Sequence, residues 1–404
     1  MRRFHLSISP EARAAVNLTA VQGLFWFAWS FGSYQTVYLQ SNGMSAANVG
    51  AINAISSTVA IIAMTFWGMV SDKMNSIKKT LLIALVAGTA MYAMIPFLPT
   101  GMPYTTLLFF LYVPLVNFSR CSHATLLDNI TVRNCSEKRL NYGIIRAFGS
   151  FTFTIGSLII VALIPFVGIG TSFWLSSLLM IPAVVFLLFT SDPKSGIITA
   201  KGTKVSPGEL FKNYYYVAFL IFSMILYIPL SGEASFLTYL MEDTGIPTAS
   251  YGTVLAVRAI MEVPFLIIIV KLRRKFKLKY MIMAACTFMA LECLYLGFFA
   301  GALSDILIGG VLFGLGNGIF LGTVSLYLYK LAPAHLKATA QTIFAAVTSV
   351  AGIAGNLAGG FSYQALGGRL FYIVLGCIIL FSVAVFAVSF IIKKGLPNPA
   401  DTLD

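Results

Sequence analysis

Apolar residues run along this chain in long blocks separated by short polar stretches. A helix that crosses the hydrocarbon core of a bilayer needs about 20 predominantly apolar residues. Blocks of that length predict twelve spans, at 17–40, 46–71, 79–99, 103–128, 141–165, 171–190, 213–241, 249–271, 278–300, 303–330, 337–364 and 368–392. The count is even, so both termini are expected on one side of the membrane. The longest polar connection, 191–212, divides the chain at its midpoint. The expected architecture is an all-α membrane protein of twelve transmembrane helices. It is organised as a six-helix bundle over 1–190, a linker over 191–212 and a second six-helix bundle over 213–404.

Composition supports the membrane reading. The 404 residues are 58% hydrophobic and 10% charged, whereas soluble domains carry about 25% charged residues. No GxxxxGK[ST] phosphate loop is present, which argues against an ATP-driven pump within one chain. The net charge of +13 could point to nucleic acid, but its placement argues otherwise. Once the spans are drawn, 23 of the 27 lysines and arginines fall on one face, only Arg369 falls on the other, and three lie inside spans. Basic loops mark the cytoplasmic side. Both termini are therefore expected in the cytoplasm, with the chain multi-pass in the cell (inner) membrane. Arg2, Arg3, Glu11 and Arg13 make the N-terminus unlike a cleaved signal peptide. Cys121, Cys135, Cys286, Cys293 and Cys377 lack metal-ligand spacing and read as packing residues.

Seven charges interrupt the spans: Arg120, Asp128, Arg146, Glu233, Arg258, Glu262 and Glu292. Each costs roughly 2.5–3.5 kcal/mol at mid-bilayer on insertion scales. They are tolerable only facing one another or a water-filled cavity. Arg120, Ala124 and Asp128 follow one another at four-residue intervals, so a continuous helix places Arg120 and Asp128 on one face, with His123 rotated away. Arg258 and Glu262 are i, i+4 and spaced to pair directly. The bland alternative is a set of static ion pairs linking helices. Gln22, Gln35 and Asn53 are polar cavity candidates on the first two spans. The first-span aromatics Phe25, Trp26, Phe27, Trp29, Phe31, Tyr34 and Tyr38 are expected mainly against lipid or neighbouring helices. Glycines at 314, 316, 318, 322, 352, 355 and 359 are expected to permit close helix packing.

After the second span stand Gly68, Asp72, Lys73, Lys78 and Lys79. A glycine admits close helix approach, and an aspartate at a helix end can latch a neighbouring helix end or a basic residue. The spacing resembles the G-x-x-x-D-[RK]-x-x-x-x-[RK]-[RK] gating signature of the major facilitator superfamily. The corresponding loop of the second half, Lys271 to Lys275, keeps the basic residues without the glycine and aspartate. Within that superfamily, the segment Tyr142, Gly143, Arg146, Phe148, Gly149, Ser150 is similar to the fifth helix of the lactose permease-like oligosaccharide–proton symporters and phenylpropionate permease-like proteins.

That resemblance implies several roles. Asp128, 18 residues before Arg146, would hold sugar hydroxyls together with it. Phe153 falls where the group stacks an aromatic on a sugar ring. Glu262, between Ala259 and Pro264, would couple sugar and proton sites, and Glu233 matches a membrane-embedded carboxylate. There are departures too. Glu292 stands where the group has an arginine, and Gly309 to Gly318 lacks the group's histidine and glutamate.

The expected activity is secondary active transport by alternating access: proton-coupled symport of a small polar solute such as a sugar or oligosaccharide. The alternative is proton-coupled export of drugs or organic anions. Asp128, Arg146, Arg120, Phe153, Asn53 and Gln35 are the substrate candidates. Glu262 is the first proton-coupling candidate and Glu292 the second, with Glu233 and Arg258 beside them and His123 as the alternative carrier. A desolvated carboxylate can take up a proton near neutral pH, whereas an arginine only biases its neighbours. No nucleophile–base pair or metal cluster is seen, so an enzyme is not expected. No cofactor or metal is expected; the proton gradient supplies the energy. The expected partners are a small-molecule substrate, a proton and the lipid bilayer, with no nucleic acid, and the chain is expected to be monomeric.

Overall fold

The structure, a computed structural model, describes residues 10–192, 207–333, 335–392 and 400. Most of the linker expected at 191–212 (193–206) lies outside these residues, as do Arg2, Arg3, Lys194, Lys201, Lys204, Lys393 and Lys394. Every regular element among the described residues is helical. The α-helices are α1 (Pro10–Phe31), α2 (Gln35–Ser41), α3 (Ala46–Met74), α4 (Ile77–Ala93), α5 (Thr105–Arg120), α6 (His123–Lys138), α7 (Tyr142–Val167) and α8 (Thr171–Leu188). They continue as α9 (Tyr214–Asp243), α10 (Tyr251–Leu272), α11 (Leu278–Phe299), α12 (Leu303–Leu331), α13 (Lys337–Leu366) and α14 (Gly368–Ile392). Among the described residues, nine helices are long and apolar enough by themselves to cross a membrane.

Two expected spans are not continuous helices, and side chains donate to backbone carbonyls at both breaks. The run at 17–40 tightens into a 3-10 turn at Gly32–Tyr34 between α1 and α2. There the Ala28 carbonyl accepts the Ser176 hydroxyl at 2.9 Å, and the Gly32 carbonyl accepts the Tyr92 hydroxyl at 2.6 Å. The run at 103–128 is interrupted at Cys121–Ser122, and its second piece extends to Lys138. The Phe118 carbonyl accepts the Trp67 indole N–H at 2.8 Å, and the Ser119 carbonyl accepts the Ser122 hydroxyl at 3.3 Å.

Packing divides the chain into two compact units, Met1–Gln35 with Val59–Ile198 and Thr36–Thr58 with Thr199–Asp404. In the first unit α1 lies against α7 and α8, and α4 joins α5, α6 and α8. Its core holds Val21, Phe25, Leu81, Leu85, Leu127, Ile130, Met180 and Leu187. In the second unit α9 packs on α13 and α14, and α12 on α10 and α11. Phe222 and Phe386 stack there at 4.5 Å between ring centroids.

The opening half of α3 belongs to this second unit. Asn53 Nδ2 donates to Ser235 Oγ at 3.2 Å, which donates to Asn356 Oδ1 at 2.6 Å. Tyr239 donates to the Met44 carbonyl at 2.6 Å, and Gln40 donates to Glu242. Outer apolar side chains such as Phe166, Leu111 and Ile144 are exposed. Lipid solvates such a surface, and the helices keep their backbone polar groups paired internally.

Candidate functional site

In the first unit α6 and α7 bring Asp128 and Arg146 together. Arg146 Nε lies 3.6 Å from Asp128 Oδ1, and each side chain is about one-third exposed. Gln22, buried on α1, donates to Asp128 Oδ1 at 3.2 Å and to Thr131 Oγ1 at 3.0 Å. One helical turn later, Trp26 donates its indole N–H to Gln22 Oε1 at 2.9 Å. The Arg146 guanidinium lies over the Trp26 ring, 4.3 Å from its centroid, and Nη1 donates to Ser150 Oγ at 3.3 Å. Phe153 meets Trp26 edge-on at 6.4 Å. Gly149 makes this possible, because a Cβ there would stand 2.5 Å from Trp26 Cδ1. The carboxylate is thus held by an amide and a guanidinium, and the guanidinium by an aromatic face.

Arg120 has no ion pair with Asp128 among the described residues, and the helix is interrupted at Cys121–Ser122 between them. Its guanidinium sits 4.6 Å from the Trp29 ring centroid and 3.5 Å from that of Tyr92. Arg120 and His123 line one small cavity of about 10 Å³, so His123 is beside Arg120 rather than rotated away. His123 is buried, and its Nε2–H donates to the Ala84 carbonyl at 2.9 Å. That bond ties α6 to α4, a structural task. Trp26 and Trp29 are 6.3 Å apart, so the two arginines are joined through two indole rings on α1.

In the second unit Arg258 is held between two glutamates. Its Nη2 lies 2.5 Å from Glu233 Oε1 and 2.9 Å from Glu292 Oε1, while Nη1 donates to Glu233 Oε2 at 3.3 Å. The three come from α10, α9 and α11 and are buried. Phe313 covers the guanidinium at 4.2 Å, and Cys293 donates its thiol to Glu292 Oε2 at 3.4 Å. With both carboxylates ionised the cluster carries one excess negative charge.

The expected contact of Arg258 with its neighbour one turn on is replaced by these ion pairs. Glu262 instead accepts from Asn317 Nδ2 at 3.0 Å and is half-buried. Glycines let α12 approach α10 here. A Cβ at Gly314 would lie 2.6 Å from the Arg258 carbonyl oxygen, and one at Gly318 2.7 Å from that of Glu262.

The remaining candidates separate. Asn53 is committed to Ser235 in the second unit, outside the Asp128–Arg146 group. Gln35 is half-buried at the start of α2, with no hydrogen bond to that group among the described residues. In the gating motif Asp72, Lys73 and Lys79 are exposed, and the chain reverses at Asn75, φ 48°. A Cβ at Gly68 would meet nothing within 4 Å, so the close approach expected of this glycine is not made here. Asp72 has no side-chain partner among the described residues; Lys78 makes the tie instead, donating to the Leu188 and Thr190 carbonyls at 2.6 and 2.9 Å at the end of α8. A cation there also complements the helix dipole.

Trp26 is among the first-span aromatics expected mainly against lipid or neighbouring helices, and its i, i+4 spacing from Gln22 is the signal in the sequence for its place here. Tyr92, Asn317 and Cys293 carried none, since their partners lie on other helices.

Comparison with known proteins follows the same lines. A family model described as the MFS_1 like family matches residues 21–374. The chain is 26% identical over 393 residues to an uncharacterized transporter, YwbF, of Bacillus subtilis (strain 168), covering 95% of each chain. It is 25% identical over 362 residues to a maltose permease of Geobacillus stearothermophilus, covering 86% of each. The solved structure of the nucleoside transporter NupG superposes with a TM-score of 0.78 at 17% identity, over 93% of this chain and 99% of that one, a likeness of fold.

Proposed function

The chain belongs to the MFS_1 like family, and from that premise we propose that it is a proton-coupled symporter of a small polar solute, a sugar or oligosaccharide, working by alternating access. It is an integral membrane transporter and not an enzyme.

The observation that carries the coupling is the buried cluster of two glutamates on one arginine. Arginine stays protonated, so a proton can enter only on Glu233 or Glu292. One proton makes the cluster neutral, and a buried net charge is costly. The cluster therefore has two states that differ by one proton, as a coupling site requires. Glu262, first by sequence, yields this role to the cluster because it is only half-buried and is met by an amide.

Asp128 and Arg146 are the substrate pair. They are partly exposed, one accepts and the other donates, and a sugar hydroxyl does both. Trp26 and Phe153 supply aromatic surface beside them. Similarity to a maltose permease supports the sugar class. The basic bias of the loops supports cytoplasmic termini.

The test is uptake into proteoliposomes from a panel of labelled sugars, organic anions and drugs under an inward proton gradient. A sugar should accumulate above equilibrium and lose that accumulation when a protonophore is added. Sugar uptake indifferent to the protonophore overturns the coupling. Accumulation of organic anions with no sugar transported overturns the substrate class.

A further inference from the structure

We propose that the cytoplasmic end of the first unit binds the headgroup of an anionic phospholipid. A cavity of about 820 Å³ opens there between the ends of α1, α4, α6 and α8. Arg13, Lys78 and Lys138 line it, and no acidic side chain is among its described lining residues.

The two lysines are held by neutral oxygens. Lys78 donates to the Leu188 and Thr190 carbonyls, and Lys138 Nζ donates to Ser191 Oγ at 2.7 Å. Arg13 is exposed on the first turns of α1. Asp192, next to the lining residue Ser191, accepts the Ser76 hydroxyl and, at 3.3 Å, the backbone N–H of Lys78, and makes no ion pair with the three cations among the described residues. The polar floor satisfies itself, with Asn17 donating to Thr190 Oγ1 at 2.8 Å and Ser191 donating to Asn134. The cavity is therefore a place where positive charge is fixed and its counter-charge is not supplied by the lining.

The rim fixes the kind of anion. Val16 on α1 and Phe189 at the end of α8 are 66% and 78% exposed, and Phe186 is also exposed. They continue the apolar flank of two membrane helices up to the cations. A soluble anion gains nothing from such a flank. A phospholipid places its phosphate among the cations and its acyl chains along Val16 and the two phenylalanines. The basic bias of the loops puts this end at the cytoplasmic leaflet, where anionic lipids attract basic residues at about 1 kcal/mol each. Lysine binds phosphate as a point charge, which suits three cations on three different elements.

The test is native mass spectrometry of the full chain in detergent, titrated separately with phosphatidylglycerol, phosphatidylcholine and glycerol 3-phosphate. Phosphatidylglycerol should be retained in preference to both others. The double variant Arg13→Gln with Lys138→Gln should bind it roughly 30-fold more weakly, two cations' worth at that figure. Arg13→Lys with Lys138→Arg should restore retention. Lys78 is left intact because it belongs to the gating motif. Equal retention of phosphatidylcholine, equal binding of glycerol 3-phosphate, or an unchanged double variant would each overturn the proposal.

Discussion

The guanidinium of Arg146 lies over the indole of Trp26, 4.3 Å from the ring centroid. The same indole donates to Gln22, and Gln22 donates to Asp128. The acid and the base of the proposed substrate pair are therefore each held by α1 as well as by each other. Moving one member of this circuit moves the others.

Arg146→Lys should lower uptake at subsaturating substrate by tenfold or more, on the order of one charge-assisted hydrogen bond. Lysine keeps the charge but has no planar face to lie on Trp26. Trp26→Ala should also weaken transport, and Trp26→Phe should recover part of it. Initial rates over a substrate series measure this. Wild-type rates in Arg146→Lys would remove Arg146 from the substrate site.

Glu292→Gln should abolish accumulation above equilibrium while exchange of internal for external substrate continues. The amide fixes the cluster in its neutral state, so no proton is cycled. Glu262→Gln should keep uphill uptake. Parallel assays of gradient-driven uptake and counterflow separate the two glutamates. The reverse pattern would return the coupling site to Glu262.

Arg258→Met should destabilise the second unit by about 3–5 kcal/mol, because it leaves two buried carboxylates without their cation. Glu233→Gln should cost far less, since Arg258 and Glu292 remain a neutral pair. Thermal unfolding of the purified variants in detergent reads the difference. Equal melting temperatures for the two variants would contradict this account.

Gly314→Ala and Gly68→Ala should differ in sign. A Cβ at Gly314 meets the Arg258 carbonyl at 2.6 Å, so the helices must part, at a cost of roughly 1–3 kcal/mol. A Cβ at Gly68 meets nothing within 4 Å, and replacing a helical glycine by alanine stabilises by up to about 1 kcal/mol. The same thermal assay checks both.

Legibility in the sequence followed the range of each interaction. The apolar blocks that become α3, α7 and α9 to α14 were readable because a membrane helix is apolar on its lipid-facing and its packed sides alike. The Asp128–Arg146 pair was readable through its 18-residue spacing in a resembling family. The partners of Arg258 were not. Glu262, four residues away on the same helix, is the local choice, whereas Glu233 and Glu292 arrive from α9 and α11. Asn53 looked like a cavity residue because polarity in a span has two uses, and only packing against Ser235 decides between them.

By itself, then, the sequence determined an all-helical membrane transporter and the set of charges that fall within its spans, since length, hydropathy and loop charge act locally and add along the chain. Tertiary structure decided where helices break and which charges meet. At the break at Cys121–Ser122 the Trp67 indole reaches the Phe118 carbonyl from α3. Arg120, just before the break, meets Trp29 and Tyr92 rather than pairing with Asp128. A hydrogen bond or an ion pair between helices needs both partners within about 3 Å, and residues far apart in sequence reach that distance only when the helices pack.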